Sequence, residues 1–159
     1  MFTRKLFIAL IIGAVTTLTA FAQNNAPSWH SPTGSWEGVV TSIGGGPPPF
    51  RVLMNFTADG GFTGTGDGDS AVGSPQYGVW RRVGDRNSRT YAVTFRQLFY
   101  APDSSSRGSG TVQQTVILNE AGDTWNGPAV VRIYAPDGTL VFTGNATATA
   151  TRIVSEPLP

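Results

Sequence analysis

The chain has 159 residues, one histidine, no cysteine, and eleven basic against ten acidic residues. That length carries one domain's worth of core, and the missing cysteines exclude a disulfide framework and a lipoprotein anchor. The formal charge of +1 calls for neither nucleic acid nor an anionic membrane as partner.

Residues 1–22 read as a secretory signal peptide. Arg4 and Lys5 form a basic start, "LFIALIIGAV" an apolar core, and "AFA" (20–22) a small-residue cleavage site. The apolar run is short for a membrane span of about 20 residues, so no membrane span is expected in the mature chain. The expectation is a bacterial protein exported to the periplasm or beyond. Cleavage leaves 137 residues and nine basic side chains, all arginine. Residues 23–33 read as a flexible arm, 34–153 as one domain and 154–159 as a tail.

From Thr33 onward no helical period is visible. Alternation, β-branched and aromatic residues, and turn punctuation predict eight strands, at 34–41, 50–57, 61–66, 76–82, 90–100, 108–118, 124–135 and 139–153. "ADG", "VGDRNSR", "APDSSSR", "NEAGD" and "PDG" connect them with residues that suit tight turns. "GGGPPP" (44–49) joins the first two strands. It is no phosphate loop, because a strand rather than a helix follows and proline offers no N–H.

Connections this short join sequence neighbours as antiparallel hairpins, and a meander of eight strands exposes two edges unless it closes. The expected fold is therefore all-β, an eight-stranded antiparallel up-and-down barrel, with a β-sandwich as the alternative. Strand alternation points Trp36, Gly38 and Val40 inward. The same phase carries Phe50, Val52, Met54 and Phe56, then Tyr91, Val93, Phe95, Gln97 and Phe99. Ala129, Val131 and Ile133 follow, and then Phe142, Gly144, Ala146, Ala148 and Ala150. Glu37, Arg51, Arg96 and Arg132 fall on the outer face.

"GSW" (34–36) opens the first strand and "ATRI" with Arg152 ends the last. Together with the strand count, these resemble the calycins, the lipocalin-like superfamily of eight-stranded barrels. The resemblance implies that Gly34, Trp36 and Arg152 form the closed base, with the arginine stacked on the indole. The long first loop and terminal helix of true lipocalins are missing, which points to a compact lipocalin-like or avidin-like barrel. A second Gly-x-Trp, in "YGVW" (77–80), reads as barrel packing.

Catalytic chemistry is sparse. His30 precedes the first strand and has no second ligand with which to hold zinc or haem. Asp67 and Asp69 in "GDGDS" lack the further oxygens that a calcium loop needs. No metal, cofactor or catalytic residue is expected. The sequons at Asn55 and Asn145 are expected to be unused.

The function expected is binding of a small hydrophobic ligand at the end opposite the base, among loops 42–49, 67–75, 101–107 and 136–138. The candidate lining is Val40, Phe50, Val52, Tyr77, Val79, Gln97, Phe99, Ile133 and Phe142, with Tyr77 and Gln97 supplying polar contacts. Two other functions use the same barrel. One is a cyclase or isomerase resembling the allene oxide cyclase or dirigent-like families, which would need Glu37 or Arg51 inside. The other is a filled structural module with an outer patch near Leu53, Leu98 and Tyr100. No sequence feature specifies an oligomeric state.

Overall fold

The computed structural model describes residues 30–67 and 73–158. The signal-peptide segment, most of the arm, and Asp69 lie outside the described residues. Eight strands follow in chain order: β1 (Gly34–Ile43), β2 (Phe50–Phe56), β3 (Gly61–Gly66), β4 (Gln76–Val83), β5 (Thr90–Tyr100), β6 (Ser106–Leu118), β7 (Thr124–Tyr134) and β8 (Leu140–Arg152). Each pairs antiparallel with its sequence neighbour, and β1 also pairs with β8 from Trp36↔Arg152 to Ile43↔Asn145. The sheet is a closed barrel rather than a sandwich, so among the described strands none is left as a free edge.

The turns use the chemistry their sequences offer. Asp85, Asp103 and Asp137 each accept a backbone N–H two residues on, from Asn87, Ser105 and Thr139. Bonds to the charged form hold both the Asp103 and Asp137 carboxyls below their usual range, from the Ser105 hydroxyl and then its N–H at Asp103 and from the Thr139 N–H at Asp137. Asp67 accepts from the Arg51 backbone N–H at 3.0 Å, which ties the end of β3 to β2.

The core gathers at one end of the barrel. Trp36, Tyr91, Phe56, Val93 and Val116 are fully enclosed, with Leu118, Trp125 and Phe62 beside them. Phe56 meets Phe62 edge-on at 5.1 Å, and Phe62 stacks on Phe95 at 4.8 Å. Such pairs add to the area term.

Below this core, Arg152 closes the base. Its guanidinium carbon sits 4.2 Å over the Trp36 ring. Its three nitrogens donate to Gly122 O (2.9 Å), Thr33 O (2.5 Å) and Ser31 O (3.0 Å). Burial lowers the Arg152 pKa, and Asp123 acts in the opposite direction. Trp36 Nε1 donates to Pro32 O at 2.7 Å.

This network corrects the reading of residues 23–33 as a flexible arm for its last four positions. Pro32 is fully buried, and the His30 carbonyl accepts from Arg82 and from the Tyr91 hydroxyl. Residues 30–33 are anchored because their carbonyls satisfy the donors of the base. The His30 side chain itself is exposed.

The glycine of "GSW" has a physical role. Gly34 sits at φ +124, and a Cβ there would lie 2.8 Å from Arg152 Nη1. Both backbone and space demand glycine. Gly34→Ala should lower stability by about 1–3 kcal/mol, read as a shifted denaturation midpoint with an unchanged slope.

Candidate functional site

Away from the base, the barrel encloses a cavity of about 280 Å³. Its floor includes Trp125, Val116, Phe56 and Phe62, and Gly45, Gly46 and Pro47 stand at its mouth. The wall on β8 runs from Phe142 to Ala148, a length of ~20 Å along the strand at ~3.3 Å per residue. The space exists because the inward face of β8 is Gly144, Ala146, Ala148 and Ala150, opposite Val131, Ala129, Gly127 and Trp125 on β7. Small residues there leave unfilled what aromatic side chains fill near the base.

Seven of the nine candidate lining residues meet at this cavity: Val40, Phe50, Val52, Gln97, Phe99, Ile133 and Phe142. Tyr77 and Val79 do not. They point outward and are 61% and 65% exposed. The inward phase of β4 is Gln76, Gly78 and Trp80 instead. Gly78 lies opposite Phe95, where a Cβ would come within 2.6 Å of the Phe95 Cα and also strike Thr94 O. Trp80 meets Tyr91 edge-on at 5.6 Å and donates from Nε1 to Thr57 O at 2.9 Å. β4 carries apolar residues in both phases, so alternation alone does not choose between them. The signal that does is Gly-x-Trp, which β1 also uses with both residues on one face.

Gln76 and Gln114 are among the lining residues that the sequence does not reveal, with Phe62, Val112, Val116 and Trp125. Both glutamines are buried, as is Gln97. Gln114 Nε2 donates to the carbonyls of Thr115, Gly127 and Pro128 at 2.8, 3.0 and 3.1 Å. Pro128 interrupts the β6–β7 ladder and Gly127 admits the close approach, so this amide completes the local bonding. At the floor, Trp125 is 3% exposed, and its Nε1–H has no partner among the described residues.

No described residue lining the cavity is ionisable. Glu37 and Arg51 pair with each other on the outer surface, away from the interior. Leu53, Leu98 and Tyr100 also face outward, but β3 and β4 separate Leu53 from the other two. Among the described residues no group of three or more His, Cys, Asp or Glu could hold a metal ion, and no helix is long and apolar enough to cross a membrane.

The mouth loop combines freedom and stiffness. Gly44, Gly45 and Gly46 adopt φ of +79, +106 and +143, and a Cβ on Gly44 or Gly45 would touch nothing. Pro47 follows, its carbonyl accepting from Ser42 Oγ at 3.3 Å. Deleting Gly45–Pro48 should change the rate at which a small neutral probe enters the cavity at least about tenfold and leave the melting temperature within ~4 °C, because loop length contributes weakly to stability. Stopped-flow binding and a thermal melt check both.

No family model matches the chain, and neither a curated protein nor a solved structure matches it.

Proposed function

We propose that this is an exported, calycin-like barrel that binds a small neutral molecule, mostly apolar, inside its closed sheet. The observation that carries this reading is the apolar cavity of about 280 Å³, whose floor is the packed core near the base. Its volume approaches the ~300–1,000 Å³ of small-molecule sites, and its lining is the usual mixture of hydrophobic walls and a few polar groups. A barrel that needed only to be stable would fill this space, since buried side chains stabilise by ~25 cal/mol per Å² of apolar area.

The neutral wall sets the ligand's charge. An anion or cation inside would lose its hydration with no counter-charge to replace it. Fatty acids in their ionised form are therefore poor candidates, and neutral ring compounds good ones. The isomerase alternative is not retained, because Glu37 and Arg51 are occupied with each other outside.

The test is titration of the protein with a neutral environment-sensitive dye between pH 5 and 9. Affinity should stay constant within about twofold across the range, since no described lining group titrates there. Failure of the dye to enter at any pH, or an affinity that changes tenfold with pH, would contradict this reading.

A further inference from the structure

We propose that Gln76 and Gln97 form an amide pair that selects ligands with a neutral hydrogen-bond donor and acceptor side by side, as in a cyclic amide. This rests on the reading of the cavity as a binding site, and it names the chemistry that the site prefers.

The placement follows from register. Tyr77 pairs with Arg96 and Gly78 with Phe95, and Gln76 and Gln97 are the next residues of β4 and β5 beyond this ladder, on neighbouring strands. Gly64 flanks Gln76 across β3–β4, and Gly110 flanks Gln97 across β5–β6. The inner wall at this level is therefore two neighbouring carboxamides between two glycines. The glycines have measurable consequences. A Cβ on Gly64 would stand 2.8 Å from Gln76 Oε1, and one on Gly110 would stand 3.0 Å from the Phe99 ring. Side chains at either position would displace the Gln76 amide and the ring beside Gln97.

Both glutamines are more than nine-tenths buried, at 6% and 8% exposure, and both line the cavity. Gln114 spends its amide N–H groups on backbone carbonyls. Gln76 and Gln97 line the cavity and make no side-chain hydrogen bond to another described residue. Buried amides normally find partners. Among the described residues these two amides are left to the space in which a ligand would lie.

Two adjacent carboxamides present N–H and C=O groups together. A hydrocarbon would cover these groups and leave them unpaired, and an acceptor-only ligand would satisfy only the N–H side. A cyclic amide satisfies both without bringing in charge. Phe95 and Phe99, two residues either side of Gln97 on the same face, favour a flat aromatic body attached to that edge.

Equilibrium dialysis of 2-quinolinone and naphthalene, which share a two-ring outline, tests the pair. The native protein should bind 2-quinolinone at least about tenfold more tightly, because a site built around hydrogen-bonding groups rejects the analogue lacking them. In the double variant Gln76→Leu/Gln97→Leu, naphthalene should become the tighter ligand. Naphthalene binding as tightly as 2-quinolinone in the native protein would overturn the amide reading and leave interior binding standing. Binding of neither compound would overturn interior binding and the amide reading with it. The comparison in native protein decides the matter even where the double variant fails to fold.

Discussion

Trp36→Ala should cost about 3–5 kcal/mol, the range for emptying a fully buried aromatic position. Trp36 is 0% exposed and joins three parts of the base. Its ring carries the Arg152 guanidinium on one side and lies 6.5 Å from Trp125 at a steep angle, while its N–H holds the Pro32 carbonyl. Alanine would remove the platform and leave a buried carbonyl without its donor. A small domain has only ~5–15 kcal/mol in total, so the variant should be marginally folded and melt ~10–20 °C lower. Arg152→Met keeps the aliphatic stem but loses the donors to Ser31, Thr33 and Gly122, and should cost less, about 1–3 kcal/mol. Chemical denaturation of the three proteins measures the order. A Trp36→Ala variant as stable as the native chain would mean that the base is not what holds the barrel shut.

Ala146→Phe should have the opposite profile, abolishing binding while sparing the fold. Ala146 is 4% exposed and lines the cavity, between Ser42 on β1 and Ala129 on β7. With small neighbours on both sides, a phenyl ring there has only the lumen to enter. Its burial is worth ~1.5–3 kcal/mol, against ~1–3 kcal/mol for imperfect fit, so the melting temperature should stay within ~5 °C. Affinity for a neutral ring compound should fall at least about tenfold, because the ring occupies the ligand's space. Parallel thermal melts and binding isotherms separate the two effects. Unchanged affinity would place the ligand elsewhere on the molecule.

Strand alternation and short hairpin turns carried most of the fold in the sequence. They located all eight strands to within about two residues, and the edge problem of an eight-strand meander pointed to closure. The stacking of Arg152 on Trp36 was expected from the calycin resemblance alone, and the two residues do pair and stack in the fold. The β4 face was not legible from alternation. Tyr77 and Val79 are the more conventional core residues, yet the close approach of Gly78 to the Phe95 backbone puts them outside. The anchoring of residues 30–33 was hidden too. It depends on backbone carbonyls, which every residue has, meeting Arg82, Tyr91 and Arg152 from distant strands. Gln76 and Gln114 escaped for a third reason. A glutamine in a strand reads as surface until the register shows which side of the barrel wall it faces.

If the barrel interior is a site and not loose packing, it holds a small apolar molecule in one place. Soaking crystals with 1-bromonaphthalene and measuring the anomalous signal of bromine tests it directly. Apolar cavities in proteins take up small apolar molecules of this kind. One strong bromine peak is expected inside the barrel, within the wall formed by Phe95, Val131 and Ala148, and none there in Ala146→Phe. Side chains closed over the interior, with bromine absent or found only on the outer surface, would contradict it.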